Sequence, residues 1–343
     1  MTSSGPSDRD HTSEPNRLID RFGREIKYLR ISVTDRCDLR CVYCMSEDMQ
    51  FVPRSQLLTL EELYRVGKTF VELGVNKIRI TGGEPLTRRN ILQLFHALGQ
   101  LEGLDDFTLT TNATQLPRYA QELKAAGVNR INISLDTLQP ERFRAITRTG
   151  ELQNTLDGID AALQAGFDRI KINAVILKHR NHDEVVDLVR FCQERGLDIS
   201  FIEEMPLGVI SEHDRAEAYY SSDQILGDLQ QVYRMVPTTE TTGGPSRYYR
   251  LGDSETRVGF ISPHSHNFCD SCNRVRMTAE GRLLLCLGQE HSMDLRRVLR
   301  ANPLDDAPLR AAIHASMKIK PKGHEFDLTS QPVLFRHMNA TGG

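Results

Sequence analysis

The sequence predicts an α/β fold built on a parallel β-sheet. Six short segments rich in β-branched residues recur in the N-terminal part of the chain, and stretches with helical periodicity separate them. Strands that alternate with helices at this spacing form parallel sheets with right-handed crossovers. Six units are too few to close an eight-stranded barrel. We therefore expect an incomplete (β/α)6 TIM-like barrel, with a C-terminal region that closes the barrel mouth.

The predicted elements follow one another in a regular order. The clearest helices are residues 59–74 and 154–166, which end on Gly74 and Gly166, as helices commonly end on glycine. The predicted strands are residues 29–35, 77–83, 106–112, 130–136, 169–176 and 198–205. After about residue 207 this rhythm breaks. We expect a disordered tail at residues 1–16, a partial barrel at 17–206 and a C-terminal region at 207–343.

Five of the six strands alternate apolar and polar residues, which predicts the use of each sheet face. Successive side chains of a strand lie on opposite faces, so the apolar face should pack against helices and the polar face should line a wide, cationic barrel interior. The polar positions are Arg30, Ser32, Thr34, Lys77, Arg79, Thr81, Thr108, Thr110, Asn112, Asn132, Ser134, Asp136, Lys171 and Asn173. An antiparallel sheet with one solvated face would also alternate, but the intervening helices argue against it. In the sixth strand, the residue pattern does not show which side chains lie on the apolar face and which on the polar face.

Composition excludes several classes of protein. The 343 residues carry a net charge of −3, with 39% hydrophobic and 26% charged residues, as in ordinary globular proteins. Neither nucleic acid nor an anionic membrane is an expected partner, because there is no global basic field. No apolar stretch is long enough to span a membrane, and the N-terminus does not resemble a targeting signal. We expect a cytoplasmic protein.

Seven cysteines are present, six of them in two triplets. A disulfide framework is not expected without a secretory signal, whereas triplets are typical of metal sites. Cys37, Cys41 and Cys44 form C-x3-C-x2-C just after the first strand. Three thiolates leave one iron of a four-iron cluster without a protein ligand, and an open metal position marks a reactive site. Zinc or a structural site is the alternative. Cys192, in a helical pattern, is expected to be a buried thiol.

The segment TGGEP (81–85) follows the second strand and precedes a helix-like segment. Adjacent glycines allow a ligand to approach the backbone closely. In parallel sheets, ligands bind beyond the carboxyl ends of the strands, where the first triplet also lies. An ordinary strand-to-helix turn would also explain the motif, but its position beside the cysteines favours a small polar ligand.

The second triplet, Cys269, Cys272 and Cys286, has the spacing C-x2-C-x13-C. A zinc site completed by His264 or His266 would explain it as well as a second cluster would. Five cations can converge beside it, namely Arg30, Arg79, Lys171, Arg274 and Arg276. Guanidinium groups match phosphate, so this charge favours a nucleoside triphosphate held by side chains, since no Walker loop is present.

The first triplet and TGGEP together resemble the radical S-adenosylmethionine superfamily. That resemblance implies a [4Fe–4S] cluster on Cys37, Cys41 and Cys44, whose open iron is chelated by the methionine end of S-adenosylmethionine. The GGEP backbone and Ser134 would hold the polar end of this co-substrate, with Tyr43 near its adenine. One electron would then release a 5′-deoxyadenosyl radical.

Longer motifs resemble the GTP 3′,8-cyclase family, the first enzymes of molybdenum cofactor biosynthesis, over residues 17–343. They are YLRISVTDRCDLRCVYCM, KIRITGGEPLTRR, TTN, NISLD, FIEEM, CDSCNRVR with Cys286, and a terminal Gly-Gly. The chain departs from the family's usual residues at four positions: Asp38, where asparagine is frequent, Ser46, where proline is common, Ala113, where glycine is usual, and Thr341, where an apolar residue is usual. The resemblance implies conversion of GTP to 3′,8-cyclo-7,8-dihydro-GTP, in which a radical abstracts the ribose 3′ hydrogen and the carbon radical attacks guanine C8.

The family resemblance also implies roles for individual residues. A second [4Fe–4S] cluster on Cys269, Cys272 and Cys286 would bind the guanine. Contacts to S-adenosylmethionine would come from Tyr43, Gly83, Ser134 and Met205. GTP would be held by Arg30, Arg79, Thr110, Lys171, Arg274, Val275 and Arg276. Catalytic roles would fall to Arg274, Arg276, Gly342 and Gly343, the last two through a tail that reaches into the active site.

Partners are implied in the same way. They are an electron donor such as flavodoxin or ferredoxin, a downstream cyclic pyranopterin monophosphate synthase, and a second copy of the chain in a homodimer. Two other functions remain open on the residues alone. One is a radical enzyme that modifies a peptide and uses the second cluster as an electron relay. The other is a non-catalytic zinc or electron-transfer protein.

Overall fold

The computed structural model describes residues 17–46, 48–210, 213–252, 254–328 and 336–342. The predicted disordered tail at residues 1–16 lies outside the described residues, and so does Gly343. None of the described helices combines the length and the apolar character that a membrane span requires.

The core of the fold is a run of six parallel strands in sequential order, as the sequence predicts. Each strand pairs in parallel with the next one along the chain. The strands are β1 Tyr28–Ser32, β2 Lys77–Thr81, β3 Asp106–Thr111, β4 Arg130–Ser134, β5 Arg169–Val175 and β6 Asp198–Ile202. They end earlier than the predicted segments, because residues such as 33–35 and 82–83 form loops at the carboxyl ends of the strands.

Helices cover the outside of this sheet. The barrel helices are α1 Leu60–Glu72, α2 Ile91–Gly99, α3 Leu116–Ala125, α4 Pro140–Thr147, α5 Leu152–Ala165 and α6 Val185–Glu194. A capping box of Thr59 and Glu62 starts α1. Gly166 ends α5 with a φ of 70°, in the left-handed region that glycine favours. Both predicted helices are therefore confirmed.

Residues after 207 extend the same sheet at both of its edges. Within the described residues the sheet order is β12-β11-β10-β1-β2-β3-β4-β5-β6-β9-β8-β7, so the barrel is open. The added strands are β7 Met235–Pro237, β8 Arg247–Leu251, β9 Arg257–Ile261, β10 Arg274–Met277, β11 Arg282–Leu284 and β12 Ser292–Asp294. The remaining helices are α7 Arg215–Ala218, α8 Ser222–Gln230, α9 Leu295–Ala301, α10 Ala307–Met317 and α11 Met338–Thr341. The domain boundary near residue 207 stays a prediction.

The two faces of the sheet differ as the alternation predicts. Apolar strand residues such as Ile31 and Ile80 are fully buried in the core shared with the helices, which also holds Cys192, the predicted buried thiol. Polar residues of the opposite face line an internal cavity. In β6, Phe201 joins the core while Ile202 lines the cavity. An apolar residue on the inner face explains why this strand was ambiguous in sequence.

Candidate active site

One large cavity lies inside the open barrel and brings the predicted site residues together. Every predicted site residue that the structure describes lines it. These residues are Arg30, Cys37, Cys41, Tyr43, Cys44, Arg79, Gly83, Thr110, Ser134, Lys171, Met205, Cys269, Cys272, Arg274, Val275, Arg276, Cys286 and Gly342. The Val275 side chain belongs to the hydrophobic core, so a contact from this residue to a ligand would come from its main chain.

The first triplet lies in the loop after β1, where main-chain hydrogen bonds fix it. Arg40 N donates to Thr147 O at 2.9 Å and Cys44 N donates to Cys41 O at 3.0 Å. Burial raises the pKa of all three thiols, to about 12 for Cys44. Thiols in such surroundings ionise when a metal group binds them. Buried sulfur donors that face one cavity fit an iron–sulfur cluster.

Two glycines let the loops after β1 and β2 meet backbone to backbone. Gly83 N donates to Thr34 O at 2.8 Å, and a Cβ added to Gly83 would overlap the Arg36 carbonyl. Gly82 has a φ of 153°, which side chains rarely adopt. The Gly-Gly backbone therefore faces the cavity next to the cysteines, with no side chain between it and a ligand.

Glu84 of the same loop has a structural role. Its buried carboxylate accepts hydrogen bonds from Thr111 Oγ1, Asn112 N and Leu86 N. Burial raises its pKa to about 8 despite these bonds. This carboxylate joins the carboxyl ends of β2 and β3, and so holds the Gly-Gly turn in place.

Tyr43 is fixed across the cavity by Asp136. The Tyr43 hydroxyl donates to Asp136 Oδ2 at 2.7 Å, and Asp136 Oδ1 accepts from Val175 N at 2.8 Å. Burial raises the pKa of Asp136 to about 6. The ring is therefore held between the first triplet and the ends of β4 and β5.

The second triplet comes together through the pairing of β10 with β11. Cys272 lies two residues before β10, Cys286 lies two residues after β11, and the two strands run antiparallel. Cys269 lies one turn before Cys272, whose N donates to Cys269 O at 3.0 Å. Strand pairing thus brings distant parts of the sequence to one end of the cavity.

The histidines of the zinc alternative are engaged elsewhere. His264 Nε2 lies 2.8 Å from Glu204 O, and His266 Nε2 lies 2.7 Å from Asp223 Oδ1. Among the residues that the structure describes, no three His, Cys, Asp or Glu side chains are grouped to hold a single metal ion. A four-iron cube is larger than one ion and spreads its thiolates further apart, so three thiols that line one cavity are compatible with a cluster.

The predicted cations converge because of strand register. Arg30 on β1 is level with Arg79 on β2 and with Arg276 on β10. In the part of the chain that the structure describes, no ion pair neutralises Arg79, Lys171, Arg274 or Arg276. Burial and the charge of Arg274 lower the pKa of Arg276 to about 10, and burial lowers that of Lys171. Crowded, buried positive charge of this kind is stabilised by a bound anion.

Tyr28 is a member of this cluster that the sequence did not single out. It lines the cavity, and its ring lies 5.7 Å from the Arg79 guanidinium and 4.8 Å from Lys77 Nζ. Burial would raise its pKa, but the charges of Arg79, Arg30 and Lys77 outweigh burial and lower it to about 7. Its position two residues before Arg30 on the polar face was the available signal.

The C-terminal tail enters the cavity, as predicted for Gly342. The Gly342 carbonyl accepts hydrogen bonds from Arg276 Nη1 at 3.2 Å and Arg30 Nη2 at 3.4 Å. Asn339 Nδ2 donates to Asp35 O at 2.8 Å, which anchors the tail to the loop after β1. Gly342 has a φ of 74°, and a Cβ there would overlap Thr81. Thr341, where the family usually has an apolar residue, is fully buried and bonds to Met338 O.

Two further cavity residues, Asn132 and Asn173, and one residue of a small adjoining pocket, Tyr248, were not predicted as site residues. Asn132 Nδ2 and Asn173 Oδ1 are buried and have no hydrogen-bond partner among the described residues. Both lie on the predicted polar face, which was the signal for them. Tyr248 Oη lies 3.3 Å from Lys171 Nζ, and no sequence signal marked it, because β8 joins the sheet from outside the six-strand core.

Comparison with known families and relatives covers nearly the whole chain. Residues 31–192 match the radical SAM superfamily, and residues 197–326 match the family described as Molybdenum Cofactor Synthesis C. The GTP 3′,8-cyclase of Pseudomonas entomophila (strain L48) is 59% identical over 330 residues, covering 96% of this chain and 99% of the relative. The GTP 3′,8-cyclase of Marinobacter nauticus is 58% identical over 327 residues, covering 95% and 99%.

Solved structures with a similar fold include SuiB of Streptococcus suis. SuiB bound to S-adenosylmethionine has a TM-score of 0.61 at 16% identity, over 93% of this chain and 79% of SuiB. SuiB bound to the precursor peptide SuiA has a TM-score of 0.59 at 18% identity, over 92% and 76%. At such low identity the likeness concerns the fold alone, and it does not favour a peptide substrate for this chain.

Proposed function

The chain belongs to the GTP 3′,8-cyclase family of radical S-adenosylmethionine enzymes, and we propose that the cavity holds S-adenosylmethionine at the first triplet and GTP between the two triplets. The reaction converts GTP to 3′,8-cyclo-7,8-dihydro-GTP, the first step of molybdenum cofactor biosynthesis. The observation that carries the assignment of residues is the group of buried cations on the polar sheet face, beside six cysteines that line the same cavity.

Residues at the carboxyl ends of β1, β2 and β4 form the S-adenosylmethionine end of the proposed site. Cys37, Cys41 and Cys44 hold the [4Fe–4S] cluster of the superfamily. With S-adenosylmethionine bound, this cluster supplies one-electron cleavage of the sulfonium and so a 5′-deoxyadenosyl radical. The exposed Gly83 backbone, supported by Glu84, binds the polar end of the co-substrate. Ser134, Met205 and the fixed ring of Tyr43 enclose the rest and exclude water.

Cys269, Cys272 and Cys286 would hold a second [4Fe–4S] cluster in this proposal, which would supply an iron without a protein ligand for the guanine to bind. The convergence of three thiols with no grouped histidine supports a cluster over zinc. Because both triplets line one cavity, a single GTP molecule lies within reach of both ends.

The cations bind and orient the triphosphate. Arg30, Arg79 and Arg276 lie level on neighbouring strands, so their guanidinium groups form a row that matches phosphate oxygens. Lys171 lies on β5, three strands along the sheet from β2, and Thr110 lies near Arg79. Gly342 keeps Arg30 and Arg276 in place through its carbonyl. A flavodoxin- or ferredoxin-type donor, the downstream synthase, a homodimer and a cytoplasmic location stay predictions.

Anaerobic turnover tests the assignment. The full chain is reconstituted with iron and sulfide, reduced, and supplied with S-adenosylmethionine and GTP, ATP or a peptide. We expect 5′-deoxyadenosine release and a cyclised product with GTP only. Cys44→Ala should abolish deoxyadenosine formation, whereas Cys192→Ala, in the hydrophobic core, should retain it. Equal deoxyadenosine release with all three substrates would contradict the GTP site.

The second cluster is tested separately by composition. Wild-type protein should bind about eight irons per chain, and Cys286→Ala about four. A wild-type chain that binds only four irons, and shows one cluster by electron paramagnetic resonance, would contradict the second cluster while leaving the first intact.

A further inference from the structure

A buried lysine lies against the second cysteine triplet. Lys320 is 1% exposed, although lysine is almost never fully buried without a partner. Its Nζ donates to Leu285 O at 2.5 Å and Arg274 O at 3.1 Å, and lies 3.8 Å from Cys272 Sγ. Leu285 directly precedes Cys286. One ammonium group therefore contacts the chain beside two of the three cysteines.

The segment that carries Lys320 wraps around the triplet and is fastened there. Arg24 Nη1 donates to Cys269 O at 2.7 Å and to Lys322 O at 2.6 Å. A Cβ added to Gly323 would lie 3.1 Å from Cys269 Sγ. These contacts, which follow Lys320 in the chain, hold its segment against the triplet in addition to the hydrogen bonds of its own side chain.

Among the described residues, no carboxylate lies within ion-pair distance of this buried charge. Within the described residues Lys320 forms no ion pair, and the nearby Asp20 is occupied by Arg24 at 2.6 Å. Two carbonyl oxygens satisfy hydrogen bonds but carry no net charge. A buried ammonium group is strongly unfavourable unless an anion is close. The groups within reach that become anionic are the thiols of the triplet, when they bind metal as thiolates.

We propose that Lys320 is the counter-charge and positioning residue of the second cluster: its ammonium group faces the Cys272 thiolate and joins it to the strand end that carries Cys286. The proposal rests on the second cluster of the proposed function. Three thiolates around a four-iron cube make an anionic group, and Lys320 supplies the adjacent positive charge. Charge and hydrogen bonds near cluster sulfurs set the reduction potential, so Lys320 also raises the potential of this cluster.

The test compares substitutions that separate charge from packing. Lys320→Met keeps an unbranched apolar stem and removes the charge. Lys320→Gln keeps donors for the two carbonyl groups but is neutral, and Lys320→Arg keeps the charge. Lys318→Met, two residues away and exposed, is the matched control. Each full-length protein is reconstituted anaerobically and assayed for iron, sulfide and the midpoint potential of each cluster by electron paramagnetic resonance.

We expect Lys320→Met and Lys320→Gln to lose up to about half of the bound iron, and any second cluster that they retain should have a lower midpoint potential. The first cluster should be unchanged in every variant, and Lys320→Arg and Lys318→Met should match the wild type. If Lys320→Met does not fold, the iron content and midpoint potential of Lys320→Gln decide the test. A neutral variant with wild-type iron content and potential would overturn the role of Lys320 alone. A wild-type chain with a single cluster would overturn the second cluster and the counter-charge together.

Discussion

The hydroxyl group of Tyr248 positions Lys171, and its removal by Tyr248→Phe should weaken GTP binding. Tyr248 Oη lies 3.3 Å from Lys171 Nζ and 3.2 Å from Thr242 Oγ1, and its ring is 5.3 Å from the Arg257 guanidinium. The substitution keeps the ring and its packing. One long hydrogen bond to a charged group contributes about 1 kcal/mol, which corresponds to a roughly fivefold rise in the KM for GTP.

The effect of Tyr248→Phe should also depend on pH. Burial would raise the pKa of Tyr248, but the charge of Lys171 outweighs burial and lowers it from 10.0 to about 8. A lowered pKa in the folded state means that ionisation of Tyr248 adds no stability below pH about 8, and adds stability as the pH rises from about 8 towards 10.0, its unfolded value. The difference in unfolding free energy between wild type and Tyr248→Phe should therefore widen between these two pH values.

The assay is steady-state kinetics at fixed S-adenosylmethionine, together with denaturant unfolding across the pH range. The matched control is Tyr249→Phe, because Tyr249 is the next residue of β8 and packs edge-on against Phe260 at 5.6 Å instead of facing Lys171. An unchanged KM for GTP in Tyr248→Phe, or an equal change in Tyr249→Phe, would refute the link to Lys171.

Three further changes test other parts of the site. Gly83→Ala forces the loops after β1 and β2 apart and should abolish S-adenosylmethionine binding in equilibrium dialysis. The control Gly166→Ala adds a side chain that faces open space and should cost only about 1 kcal/mol of stability. An equal loss of binding in both variants would contradict this prediction. Arg276→Ala should raise the KM for GTP roughly 10- to 100-fold, and the exposed Arg282→Ala should not. Burial raises the pKa of Asp136 from 3.8 to about 6, so the fold should be more stable at pH about 3 than at pH about 7, by about 3 kcal/mol. This gain should be lost in Asp136→Asn, and a difference in unfolding free energy between wild type and Asp136→Asn that is flat with pH would contradict it.

Local patterns in the sequence were enough to predict the barrel and most of its lining. Alternation along β2 placed Arg79 inside and Ile80 outside, because a strand has a period of two whatever surrounds it. The same alternation included Asn132 and Asn173, but it could not show that their amide groups lack partners, since this depends on every neighbouring side chain. Ala113 departs from the family's glycine, and the structure shows the reason for that preference, because its φ of 69° lies in the left-handed region.

Contacts between distant segments were beyond the reach of the sequence. Tyr248 meets Lys171 because β8 is added to the sheet next to β9, outside the six-strand repeat. Lys320 contacts Cys272 because the chain after α10 folds back onto the second triplet. Arg24, near the N-terminus, fixes this segment by a hydrogen bond to the Lys322 carbonyl. Neither Lys320 nor Tyr248 belongs to a sequence motif whose spacing would predict such a contact.

The amino-acid sequence alone determined the repeat of strands and helices, the polar inner face and the two cysteine triplets, since each depends on spacing along a few consecutive residues. Only the tertiary structure decided that both triplets share one cavity with the cations, that Gly342 lies between Arg30 and Arg276, and that a buried lysine faces the second triplet. These features depend on strand order and on how the C-terminal residues cross the barrel. The free energy of such contacts is a property of the whole packed chain, and no short stretch of sequence encodes it.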